Sequence, residues 1–113
     1  GSEMCIRDSL KRVLVQAGDV IEGRMQMVNW AMLPAGNSFQ AHYHEDMQEI
    51  FILVQGSTKI SIGDEEAELD TGDAVFIPET AVHTMHNPHA EDAAYIAIGI
   101  TRGRGGKTVV VED

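Results

Sequence analysis

At 113 residues the chain is long enough to bury one core and too short for two. A formal charge of -10 argues against nucleic-acid and anionic-membrane partners, both of which call for basic patches, and the single cysteine rules out an internal disulfide framework. No apolar run approaches the roughly 18 to 20 residues of a membrane helix and no signal peptide is visible, so a cytoplasmic protein is expected.

Residues 1–9 stand apart from the rest of the chain. Gly1-Ser2 has the look of a cleaved-tag scar, and Met4-Cys5-Ile6-Arg7-Asp8-Ser9 resembles a translated library adapter of the kind found in environmental gene predictions. This segment is therefore set aside as a non-native or disordered leader, leaving 10–113 as the single domain and Cys5 without a catalytic role. From Lys11 the chain reads as strands. Val13-Leu14-Val15 is short and breaks at Gly18-Asp19. Arg24 to Leu33 carries apolar residues on both parities, so both faces of that strand are expected to be covered. Pro34-Ala35-Gly36 turns the chain. Ile50 to Val54 is apolar on both parities, and Gly56 ends it. Thr58 to Ile62 alternates, with Ile60 and Ile62 inward, and Gly63-Asp64 makes a hairpin turn into the acidic, solvated edge Glu65, Glu66, Glu68, Asp70. Ala74 to Ile77, Val82 to Asn87, Tyr95 to Thr101 and Thr108 to Val111 complete the strands, the last preceded by the flexible stretch Arg102 to Gly106. No helical period of useful length and no repeat occurs. Many short strands with frequent turn signals predict an all-β sandwich or jelly roll.

The chemistry is concentrated between Gly36 and Gly56. His42 and His44 stand two apart, so in an extended run both imidazoles reach one face. Glu49 opens the apolar run Ile50 to Val54, and a carboxylate buried there alone is costly unless a cation meets it. Two imidazoles and a carboxylate would supply three metal ligands. His83, beside the second apolar strand Ala74 to Ile77, is a fourth candidate.

The pattern Gly36-x5-His42-x-His44-x4-Glu49-x6-Gly56 resembles the first motif of the cupins. Gly72-x5-Pro78-x-Thr80-x2-His83-x3-Asn87 is similar to the second, with Thr80 where that family has glycine. The resemblance implies a single-domain jelly-roll (double-stranded β-helix) cupin barrel. It also implies metal ligands at His42, His44, Glu49 and His83, holding one divalent transition metal: Mn, Fe, Co, Ni, Cu or Zn. A rival triad of His44, Asp46 and His83, similar to that of 2-oxoglutarate oxygenases, would leave His42 and Glu49 unexplained and lacks an arginine shortly after His83.

Phe51, Leu53 and Met85 share parity with the ligands and are expected to line an apolar substrate pocket, with Gln40 in reach of a substrate or a metal-bound water. His86 has the wrong parity to join His83, His89 lies in a loop, and Tyr43 should face away from the ligands. The methionines Met25, Met27 and Met32 read as core. The cupin resemblance implies a range of activities (dioxygenases, isomerases, decarboxylases, lyases) alongside members that only bind or sense. The expectation is a metal-dependent enzyme of oxidoreductase, isomerase or lyase type, acting on a small oxygen-bearing molecule. A non-catalytic binding or sensing module is the alternative. Strands apolar on both faces in so short a chain predict a symmetric homodimer.

Overall fold

A computed structural model of the protein describes residues 3–6, 9–16, 24–101 and 107–111. The break expected at Gly18-Asp19 and the stretch Arg102 to Gly106 lie outside them. The described strands are β1 (Glu3–Ile6), β2 (Ser9–Gln16), β3 (Met25–Leu33), β4 (His42–His44), β5 (Met47–Gln55), β6 (Ser57–Ile62), β7 (Glu65–Asp70), β8 (Ala74–Ile77), β9 (His83–His86), β10 (Ala93–Thr101) and β11 (Thr108–Val110). β1 falls within the segment set aside as a leader, pairing with β2 so that Met4 stands opposite Lys11. No helix among the described residues is long and apolar enough to cross a membrane.

The strands form two antiparallel sheets. One runs β1-β2-β3-β10-β5-β8 and the other β11-β4-β9-β6-β7. Period-2 alternation sends one set of side chains from each sheet into the shared interior. Leu33, Phe51, Leu53, Ile60, Leu69, Ile77, Met85 and Tyr95 meet there as the core. The opposite parity of the larger sheet stays apolar and partly open to solvent. Across it, Trp30 stands beside Ile96, Ile96 beside Ile52 and Ile52 beside Ala74; the next row is made in the same way by Val28, Ile98, Ile50 and Phe76. Trp30 and Phe76 are exposed. The two-faced apolar pattern read from β3 and β5 thus divides into a true interior and an outer sheet face.

Two turns hold the smaller sheet in place over the larger. Asn87, fully buried, donates from Nδ2 to the carbonyls of Leu33 (3.0 Å) and Glu91 (2.8 Å) and accepts the His89 amide at Oδ1 (3.0 Å). Thr80 occupies the left-handed region at φ 65°. The substituted glycine position therefore keeps a glycine-like backbone despite a β-branched residue, a strained choice. Its amide donates to the His44 carbonyl (2.8 Å), tying the turn after β8 to the ligand strand.

Candidate metal centre

His42 and His44 sit at the two ends of the three-residue β4, and His42 is the register partner of His83 on β9. Glu49 comes from the other sheet, on β5, between Gly99 of β10 and Ile77 of β8. The cluster therefore bridges the two sheets. One ligand atom from each of His42, His44, Glu49 and His83 lies within 4.8 Å of the others. His44, Glu49 and His83 are buried, while His42 is half-buried.

Hydrogen bonds behind the imidazoles decide which nitrogen faces inward. His42 Nδ1 lies 2.8 Å from the Gln40 carbonyl and His83 Nδ1 3.0 Å from the Ala81 carbonyl. A carbonyl only accepts, so both Nδ1 atoms carry the proton and both Nε2 atoms keep a free lone pair. Thr108 Oγ1 takes the same position behind His44 Nδ1 at 3.0 Å. Phe39 packs on His42 and His83 with ring centroids 5.2 and 6.1 Å away, and Phe51 lies 6.0 Å from His83.

The front of the cluster is unusual. Glu49 Oε1 lies 2.6 Å from His44 Nε2 and 3.3 Å from His83 Nε2. Yet all three atoms are buried without a hydrogen-bond partner. The three atoms converge on one small region between the sheets. Orphaned buried polar atoms are costly, and a divalent cation would satisfy all three, so the donor set fits a metal. Burial pushes the His42 imidazole below its ordinary value, and the neighbouring His83 and His44 add to this, against the opposing Gln40 hydrogen bond and Glu49 charge. For Glu49, burial alone would raise the carboxyl, but the two adjacent imidazoles outweigh it and hold the group at about 2. A lowered His42 imidazole and an ionised Glu49 carboxylate are protonation states that bind metal.

A cavity of about 330 Å³ opens over this cluster. Of the residues expected to line it, Phe51 and Gln40 do. Leu53 and Met85 do not: they share the inward face but lie deeper, Leu53 opposite Tyr95 and Met85 opposite Ile60, filling the core beyond the cavity. Asn29, Tyr95, Met47 and Lys11 line it and were not singled out from the sequence, and Met27, read there as core, lines it too. Asn29 is the signal that could have been read, a lone amide on the parity of Met27, Ala31 and Leu33. Burial and then the Glu49 charge push the Tyr95 hydroxyl well above its ordinary value, so it stays a neutral phenol. Asp46 is buried in a different place, beside Arg24, Gln48 and Glu79 at a second, smaller cavity, and is not part of the histidine cluster. His86 is exposed and shares a 2.6 Å hydrogen bond with Ser38 Oγ, and His89 is exposed in its loop.

Comparison with known proteins agrees with this geometry. The family model for the cupin domain matches residues 29–99. The sequence is similar to an uncharacterised protein of Methanocaldococcus jannaschii, 25% identical over 89 residues and covering 71% of each chain. Among solved structures, a predicted oxalate decarboxylase from Thermotoga maritima has a similar fold, with TM-score 0.76 and 20% identity over 82% of this chain and 80% of that one. So does a sugar phosphate isomerase from a cupin superfamily in Silicibacter pomeroyi, with TM-score 0.76 and 18% identity over 96% of this chain and 68% of that one. At those identities the likeness is one of fold.

Proposed function

This chain belongs to the cupin domain family, and on that premise we propose that it is a metal-dependent enzyme acting on a small oxygen-bearing molecule. His42, His44, Glu49 and His83 would hold one divalent transition metal. The observation that carries the reading is the convergence of three buried, unpartnered ligand atoms beneath a cavity large enough for a small molecule. Bound there, a divalent ion supplies Lewis-acid polarisation of a substrate oxygen or a lowered pKa for a bound water. The protein's own part is to fix the His42 and His83 tautomers through the Gln40 and Ala81 main-chain carbonyls, to hold the His44 ring through Thr108, and to keep water away with Phe39 and Phe51. Tyr95 offers a neutral hydroxyl. Decarboxylation and isomerisation are the chemistries named for the two structural neighbours, and neither is preferred by fold.

Elemental analysis of protein purified without added metal, followed by calorimetric titration with Mn, Fe, Co, Ni, Cu and Zn, tests the site. Glu49→Gln should lose metal retention and Asp46→Asn should keep it; the reverse result would select the rival triad. Oxygen-uptake and substrate-panel assays on the loaded protein then separate the alternatives. Metal binding without turnover favours a binding or sensing module.

We also propose a symmetric homodimer formed through the outer face of the larger sheet. The rows Trp30-Ile96-Ile52 and Val28-Ile98-Ile50-Phe76 support it, because a contiguous apolar face of this kind is uncommon on a monomer. A monomer mass at micromolar concentration would refute it. The lack of nucleic-acid or anionic-membrane partners goes with this reading, on the net charge of -10, and a cytoplasmic location is proposed alongside it.

A further inference from the structure

Two side-chain amides in the cavity each bury an oxygen with no partner. Asn29 is 3% exposed, and its Oδ1 is buried without a hydrogen bond. The Gln40 Oε1 is likewise buried and unpartnered, while its Nε2 donates to the Val111 carbonyl at 3.4 Å. That bond fixes the orientation of the Gln40 amide, so what it presents to the cavity is an acceptor. Both residues line the cavity that holds the metal-ligand cluster.

Their placement comes from the sheets. Asn29 stands beside Ala97 on β10, and Ala97 stands beside Phe51 on β5; Gly99 is likewise beside Glu49. Asn29 is therefore two strands across from the Glu49 strand, about 10 Å at ordinary strand spacing. Between them β10 presents the small residues Ala97 and Gly99, and the Met27 and Met47 side chains lie over Gly99 and form part of the wall between the cluster and the amide. Ala31, Phe39, Phe51 and Ala97 give the wall apolar stretches, and Lys11, Gln26, Tyr95 and Thr108 add polar groups to it.

Resting on the reading of His42, His44, Glu49 and His83 as a metal site, we infer that this cavity selects a small polyhydroxylated molecule, with Asn29 reading a hydroxyl across the cavity from the cluster and Gln40 reading one on the His42 side. A hydroxyl both donates and accepts, so it can meet the Asn29 amide and supply the donor that Gln40 Oε1 lacks. A small dicarboxylate would set carboxylate oxygens against that carbonyl oxygen. A flat catechol held by its two oxygens at the cluster would leave both amide oxygens orphaned, the costly outcome for buried polar groups. The apolar stretches of the wall suit the C–H faces of a polyol.

The test is calorimetric titration of the Ni-loaded protein with gluconate, glucose, oxalate and catechol, repeated with Asn29→Leu and Gln40→Met. Gluconate or glucose should bind, and each substitution should weaken that binding about tenfold. Ni affinity should stay unchanged, because His42 is held by the Gln40 main-chain carbonyl, which Gln40→Met keeps, and neither substitution should weaken any binding of oxalate or catechol. Polyol binding that survives both substitutions would overturn the inference. So would binding of oxalate or catechol with none of either polyol, which would leave the amides as water sites. If Asn29→Leu does not fold, Gln40→Met decides alone. A protein that takes up no metal would sink the proposed function, and the same titrations on metal-free protein would then still read the two amides.

Discussion

Gly36 and Gly56 bound the first motif and share a left-handed backbone, at φ 77° and 81°, yet alanine should affect them differently. At Gly36 an added Cβ meets nothing within 4 Å. The cost there is conformational, about 1–2 kcal/mol for a left-handed L-residue, offset by about 0.4–1 kcal/mol from the stiffer unfolded chain. Gly36→Ala should therefore lose about 1 kcal/mol. At Gly56 the new Cβ would stand 3.1 Å from the Asp92 carbonyl oxygen and 3.2 Å from the Ala93 Cα. Both are backbone atoms at the entry to β10, where Ala93 is fully buried. Nothing flexible can yield, so overpacking adds about 1–3 kcal/mol and the total reaches about 2–4 kcal/mol. At about 4 °C per kcal/mol for a domain of this size, Gly56→Ala should melt roughly 8–16 °C lower and Gly36→Ala roughly 4 °C lower. Urea and thermal unfolding followed by circular dichroism measure both. Because Gly56 lies at the far end of β5 from Glu49, metal affinity should be unchanged. Equal losses at the two glycines would refute the steric part of the reasoning, and a large loss of metal affinity in Gly56→Ala would refute the separation of turn from site.

Asn87→Leu removes three hydrogen bonds made by a fully buried side chain and should destabilise by about 3 kcal/mol at about 1 kcal/mol each, read by urea unfolding; a loss under about 1 kcal/mol would show that the amide is dispensable. In the metal-free protein the His42 imidazole sits below its ordinary 6.5, so the unfolded chain binds the extra proton first. Its contribution is whole above about 6.5 and declines as pH falls. Glu49, held near 2 against an ordinary 4.5, adds a second loss of the same sign as pH drops from about 4.5 towards 2. Unfolding free energies measured at about pH 7.5, 5.5 and 3.5 should fall in that order, and a flat profile between the first two would contradict the His42 assignment. Ile98→Lys, in the middle of the outer apolar rows, should turn a dimer into a monomer by sedimentation while leaving metal affinity intact.

The residues of the candidate metal cluster were legible because each is chemically conspicuous where it stands. Two histidines at strand spacing, a carboxylate at the mouth of an apolar run and a histidine after a Pro-bounded strand have few other uses. The strands were legible from their turns, Gly36, Gly56, Gly63 and Gly72 all taking positive φ. What parity does not give is depth. Leu53 and Met85 share the ligands' face, but a strand's inward side chains run the whole height of the barrel, and only the cross-strand register shows that these two lie past the cavity. Asn29 escaped for a different reason. With Met25 and Met27 on one parity of β3 and Val28, Trp30 and Met32 on the other, both faces looked apolar, and nothing local said which was interior.

Asn29 also shows why the apolar strands carry more of the function than their composition suggests. An amide on an outer strand face would be hydrated and unremarked; the same amide turned inward beside Ala97, with its oxygen buried, is a demand for a partner. The metal cluster makes the same kind of demand at the other side of the cavity, through His44, His83 and Glu49. A folded protein keeps unsatisfied buried groups only where something outside the chain completes them or where strain is tolerated for another purpose. Here the orphaned atoms fall at two separated places around one cavity, and a ligand that satisfied only the metal end would leave the other unmet. On the inference drawn above, a molecule with oxygens at both ends and carbon between would meet both demands, which is a narrower description than the family alone supplies.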